Sequence, residues 1–205
     1  MDFTVIAALL FIAIPPIWWK ITTKENTWFL PWVGLKAVEK KSTRDFWLSI
    51  GLAAFFILIS FPVIDLIFPD LFQMDFSYAA SLGMVILIVA LGSPRIVILF
   101  LLGEIFFRGF LGKRLIGKLG FAKGNTIQAL IYGLFLGTGW ESGGEFMMVA
   151  NIAMFAGFGW IAGYITEKQA GGSIIPVCVL NPVAIIASVS LVYVFGLLFW
   201  TEGLR

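Results

Sequence analysis

The sequence predicts an all-α membrane protein, a polytopic helix bundle of about six transmembrane spans, and three observations predict it. Of the 205 residues, 60% are apolar and only 13% are charged, whereas a water-soluble domain is about 45–50% apolar and about 25% charged. The mean hydropathy is +0.99. The apolar residues also gather into runs of the length, about 20 residues, that a helix needs to cross a hydrocarbon layer of about 30 Å. No repeat, low-complexity tract or soluble segment interrupts them, so residues 1–205 read as a single integral membrane domain.

Residues 3–19 form the first run. Met1 and Asp2 before it supply none of the positive charge that a secretory signal carries, so the run reads as a retained span. Trp18, Trp19 and Lys20 close it as an interfacial anchor. From 20 to 45 the chain mixes Trp28, Phe29, Leu30, Pro31 and Trp32 with Lys36, Glu39, Lys40, Lys41, Arg44 and Asp45, which reads as a loop with a membrane-surface segment. The second span covers about 46–68, followed by Pro69, Asp70 and a connection containing Asp75. The apolar stretch 79–112 is too long for one straight crossing at about 1.5 Å per residue. Gly92-Ser93-Pro94 breaks it, with Ser93 as N-cap and Pro94 in the first turn of a new helix running to about 117. Spans four, five and six follow at about 125–140, 146–165 and 173–200, the last kinked at Asn181-Pro182.

Six crossings put Lys20, Lys24, Lys36, Lys40, Lys41, Arg44, Lys113, Arg114, Lys118, Lys123 and Lys168 on one side and only Arg205 on the other. The positive-inside rule makes the Lys-rich side cytoplasmic and places both termini outside the cytoplasm, in a prokaryotic plasma membrane. Gly133 with Gly137, Ala153 with Gly157, and Gly159 with Gly163 are small-residue pairs at the spacing that lets helices approach closely.

Composition removes several chemistries. With no histidine and one cysteine, Cys178, there is no Ser-His-Asp triad, no zinc site of the H-E-x-x-H or four-ligand kind, and no intramolecular disulfide. No metal and no cofactor are expected. No basic stripe supports nucleic acid as a partner. Cys178 reads as a small packing residue, and Asn125, Gln128 and Asn151 as cross-helix hydrogen-bonding groups.

Ionisable groups at membrane depth are few: Asp65, Arg95, Glu104 and Arg108. Each costs at least about 2.5–3.5 kcal/mol at mid-depth unless it is paired or hydrated. Glu104 and Arg108 stand four residues apart with the acid on the N-terminal side, the arrangement in which a helical pair neutralises itself. That pair sits in Gly103-Glu104-Ile105-Phe106-Phe107-Arg108-Gly109, followed by IQALIYGLFLG at 127–137, GYITEK at 163–168, GSIIP at 172–176 and Asn181. In that order these segments resemble the CPBP family (CAAX protease and bacteriocin-processing, or Abi) of glutamate-type intramembrane proteases, over a core of about 79–200.

The resemblance implies a site at Gly103, Glu104, Arg108, Tyr132, Leu136 and Asn181, and implies that it is vestigial. The family's first motif reads EExxxR, and its first Glu, which with a His activates water, falls on Gly103. The His of FxxxH falls on Leu136, with Tyr132 at the start of that motif. In HxxxN the His falls on Asn181 and the Asn on Ile185. Glu104 and Arg108 remain. The expectation is therefore a catalytically inactive CPBP-like protein that binds an integral membrane protein or transmembrane peptide within the lipid bilayer, in an immunity, regulatory or complex-subunit role. Two alternatives stand beside it: an intramembrane peptidase using Glu104 in a rearranged site, and a small-molecule or lipid carrier, for which no inverted repeat is visible.

Overall fold

The computed structural model describes residues 3–23, 28–39, 42–67, 101–138, 144–183 and residue 187. The breaks expected at Gly92-Ser93-Pro94 and at Pro69-Asp70, Arg95, the beginning of span three and the end of span six lie outside the described residues, as does the side chain of Asp65. Every regular element among the described residues is helical. Helix α1 is Phe3–Thr22, with Pro15 and Pro16 inside it. A short α2, Phe29–Trp32, is the surface segment expected between the first two runs. Helix α3 is Thr43–Ile67, and its start is capped by Ser42, whose Oγ accepts the Asp45 N–H at 3.3 Å.

Helix α4 covers 101–119, and its middle, Ile105–Gly112, winds as a π-helix before Lys113–Leu119 returns to α. Arg114 stabilises the transition: its Nη1 donates to the Gly109 and Phe110 carbonyls at 3.1 and 2.9 Å, and its guanidinium lies 3.6 Å over the Trp32 ring. Gly120 then stops the helix at φ +77°, a backbone conformation that suits residues without a Cβ. Helix α5, Phe121–Gly137, leaves that turn directly. Helix α6, Gly144–Tyr164, runs into a second π segment, Ile165–Gln169. Residues 175–183 form α7, with Asn181 and Pro182 in its last described turn.

Helices α5 and α6 pack through the small residues expected to do so. A Cβ on Gly133 would lie 2.5 Å from the Ile152 carbonyl oxygen and 2.7 Å from the Ala156 Cβ, and one on Gly137 would lie 2.6 Å from the Ile152 backbone. Helix α1 covers the bundle with aromatic rings: Phe11 stacks on Phe106 at 4.4 Å and meets Phe107 edge-on at 5.3 Å. The loop after α2 is tied to the start of α7, where Ile174 N–H donates to the Gly34 carbonyl at 2.9 Å and Ser173 Oγ–H to the Lys36 carbonyl at 2.7 Å.

Glu104, Arg108, Asn125, Gln128, Ser173 and Asn181 are buried beside apolar core residues such as Phe107, Ile165 and Val177, while Leu52, Phe55, Leu130, Leu134, Val149 and Val179 are exposed. Among the described residues Met148–Gln169 is a helix long and apolar enough to cross a membrane. An apolar exterior with its polar groups kept inside suits a hydrocarbon solvent.

Close approach at Gly133 sets a clear expectation. Gly133→Leu should lower the detergent unfolding midpoint by the equivalent of at least about 1–3 kcal/mol, as overpacking does. Gly51→Ala should leave it unchanged or raise it by up to about 1 kcal/mol, because a Cβ on Gly51 meets nothing within 4 Å. Thermal melts of the two variants beside the parent check both.

Candidate functional site: a buried ion pair locked by an amide

Glu104 and Arg108 lie on α4, one at the last α-helical residue before the π segment and the other inside it. Both are 1% exposed, so neither charge has bulk solvent to turn to. The Arg108 Nε lies 3.3 Å from Glu104 Oε2. On the other carboxylate oxygen, Asn181 Nδ2 donates to Oε1 at 3.0 Å and also approaches the Tyr132 hydroxyl at 3.4 Å. The Arg108 guanidinium lies 3.8 Å over the Tyr132 ring, with Phe158 at 5.9 Å beyond it. Three helices thus meet on one carboxylate: α4 supplies the charges, α5 the aromatic platform and α7 the amide.

Of the residues singled out from sequence, Glu104, Arg108, Tyr132 and Asn181 come together. Leu136 does not join them; it packs against the apolar core that includes Phe107 and Tyr132. Gly103 offers no functional group, and a Cβ added there meets no described atom within 4 Å. The expected hydrogen bond from Asn125 forms, with Nδ2 donating to the Trp160 carbonyl at 2.9 Å. Among the described residues no three His, Cys, Asp or Glu side chains converge where a metal could bind.

Sequence reasoning missed a second polar group. Arg108 Nη1 and Nη2, Asn125 Oδ1, Gln128 Nε2, Thr166 Oγ1 and Glu167 Oε1 are buried without a protein hydrogen-bond partner. All five residues line one narrow crevice with Gly112, Ile116 and Gly163. Thr166 and Glu167 were legible only as part of GYITEK, and the winding that turns them inward belongs to the π segment at 165–169.

The chemistry available at Glu104 is limited. A general base must lie within hydrogen-bond reach of the water it activates and have a suitable pKa. Here one oxygen faces a guanidinium and the other accepts from an amide. Asn181 can donate but cannot exchange a proton as an imidazole does. Structurally the cluster joins three helices, and removal of one charge strands the other.

A double-mutant cycle measures that constraint. Glu104→Gln and Arg108→Met should each lower stability in detergent by about 3–5 kcal/mol, the usual cost of breaking a buried pair. The double variant should recover a large part of the loss through non-additivity. Additive losses, read from thermal or denaturant unfolding, would show that the two charges do not compensate each other.

Residues 94–181 match the family model described as type II CAAX prenyl endopeptidase, Rce1-like. No curated protein and no solved structure matches the chain. The matched segment runs from just before α4 to the amide of α7 and contains Glu104, Arg108, Tyr132, Leu136 and Asn181. The ion pair, its aromatic platform and its amide therefore sit within residues 94–181, the stretch that is similar to the Rce1-like model of the CPBP family.

Proposed function

We propose that this chain is a catalytically inactive CPBP-like protein that binds a membrane protein or transmembrane peptide. The observation that carries the reading is the buried Glu104 carboxylate, whose Oε1 accepts from Asn181 and whose Oε2 lies 3.3 Å from the Arg108 Nε. A hydrolase of this family type needs a second base beside that carboxylate. Gly103, Leu136 and Asn181 stand where the resemblance places the acid and the two histidines, and none of the three can take a proton from water.

A groove supports the binding half of the reading. Between α3 and α7 an apolar cleft of about 410 Å³ is lined by Phe46, Trp47, Ile50, Ile175, Val179 and Leu180. Leu180 adjoins Asn181, so an occupant of the cleft lies one residue from the amide lock. A transmembrane peptide fits such a surface through shape and dispersion, the forces available where lipid already satisfies apolar groups.

The same proposal carries the six-span topology with cytoplasmic Lys118, extracytoplasmic termini and a single membrane domain over 1–205. Its support is the one-sided placement of Lys and Arg.

Three measurements test it. Purified protein in liposomes should not cleave prenylated or transmembrane peptides above a blank, and turnover abolished by Glu104→Gln would establish the peptidase reading instead. A photocrosslinking residue at Val179 should capture a membrane polypeptide, while the same residue at Leu130, on the exposed face of α5, should capture only lipid. In a Cys178→Ser background, Lys118→Cys should label from the cytoplasm and Glu145→Cys from outside; labelling of both from one side would overturn the topology.

A further inference from the structure

The loop after α2 and the turn before α7 clasp each other at Gly34 and Ile174, and in doing so they bring together two lysine side chains that play no part in the reading above. Gly34, Gly171 and Gly172 have φ of +92°, +62° and +81°, so the two segments meet through bare backbone. A Cβ on Gly34 would lie 2.7 Å from the Gly172 carbonyl oxygen and 2.9 Å from the Lys113 Nζ. One on Gly172 would have the Lys113 Nζ and the Lys36 Cε each at 3.9 Å. Lys113 reaches in from the end of α4 and Lys36 from the loop, and both come to the same glycine.

Neither ammonium is neutralised in place, although both side chains are half-buried. Lys36 has Glu39 at 4.0 Å, and that acid side chain is 76% exposed, a pairing worth little beside water. Lys113 makes no hydrogen bond or ion pair with any described residue. Its charged neighbours are Glu167, Lys36 and Arg114, and Arg114 is already engaged with two carbonyls and the Trp32 ring. Three cations, Lys36, Lys113 and Arg114, stand against two carboxylates, Glu39 and Glu167, so the group keeps one positive charge.

The setting selects the anion. The loop leaves α2 directly, and there Trp28 is 82% and Leu30 56% exposed. Phe29 packs on Trp19 near the end of α1, where Ile21 is 75% exposed. Tryptophan and lysine placed together in this way mark the level at which lipid headgroups meet hydrocarbon. We propose that Lys36 and Lys113 bind the phosphate of an anionic phospholipid whose acyl chains lie along α2. A phosphodiester carries the single negative charge that the five groups lack, and lysine binds phosphate as a point charge. A free phosphate, closer to two negative charges, exceeds that balance. A choline headgroup returns a cation to the lysines. The inference rests on the chain residing in a bilayer, and it is independent of whether Glu104 performs chemistry.

Native mass spectrometry of the full chain, released from micelles holding equal amounts of phosphatidylglycerol and phosphatidylcholine, tests it. The parent should retain phosphatidylglycerol in preference. Lys36→Gln and Lys113→Gln should each lower that retention by about fivefold, the factor that about 1 kcal/mol per basic group represents. Lys113→Arg should keep it because the charge stays, and Lys118→Gln because Lys118, exposed at the end of α4, is not among the groups at Gly172. Equal retention of the two lipids overturns the proposal, as does an equal loss in Lys118→Gln, which would mark diffuse surface charge. Displacement by inorganic phosphate or by a polyglutamate peptide overturns it in favour of a free anion or an acidic protein segment. Flotation with liposomes separates this inference from the membrane reading: a chain that floats without lipid preference refutes the phosphate site alone, and one that does not float refutes both. Thermal melts accompany every variant, and Lys36→Gln, a change in a loop, carries the test if Lys113→Gln fails to fold.

Discussion

One constraint organises the described structure: two opposite charges are buried on neighbouring turns of α4, and neither can be left alone. Stripping a carboxylate and a guanidinium of water costs several kcal/mol per ion even after relaxation. The attraction at 3.3 Å offsets that only if the remaining polar edges are also served. Asn181 serves the free carboxylate oxygen from α7, and the Tyr132 ring of α5 underlies the guanidinium. The positions of α5 and α7 around α4 follow from these demands more than from burial of apolar surface. In lipid the exterior is as apolar as the core, so polar contacts and close backbone packing must supply what the hydrophobic effect supplies in water.

The two forces divide the molecule between them. Where α5 meets α6 the contact is made by Gly133 and Gly137 against Ile152 and Ala156, and no charge takes part. Where α4 meets α5 and α7, polar groups join apolar contacts such as Phe107 edge-on to Tyr132. The loop after α2 closes on the residues before α7 by backbone and hydroxyl hydrogen bonds at Gly34, Lys36, Ser173 and Ile174. That clasp holds the N-terminal end of the helix whose amide faces Glu104. The lock therefore depends on a surface loop as well as on the bundle interior.

Much of this was legible in the sequence for identifiable reasons. Helix ends at Thr22, Leu119 and Tyr164 lie near those expected at 19, about 117 and 165, because interfacial anchors and the ends of apolar runs act locally. The Glu104–Arg108 pair was legible because both partners sit on one helix four residues apart. Asn181 lies 77 positions away, and no local pattern joins it to Glu104; the family resemblance alone brought it into the site. The two π windings were not legible at all. An i→i+5 turn is imposed by what packs around it, so Ile105–Gly112 reads in sequence as ordinary helix, and the crevice between the two windings stays hidden with it.

The amide at Asn181 bears on the proposed inactivity of the site. A hydrolytic centre must change its protonation during each turnover, and an imidazole near its ordinary pKa does so readily. A carboxamide donates the same hydrogen bond to Glu104 without that freedom. On the proposed inactive reading, Asn181 keeps the contact between α4 and α7 without supplying a proton relay. On the same proposal, Gly103 and Leu136, standing where the resemblance implies ionisable groups, would each spare the bilayer interior a standing cost of burial. The pair itself cannot be withdrawn so easily, since loss of either member strands its partner. A domain that gave up turnover would then be left with the charges that compensate each other, an amide that locks them, and an apolar exterior. Those are the features that α4, α5 and α7 display.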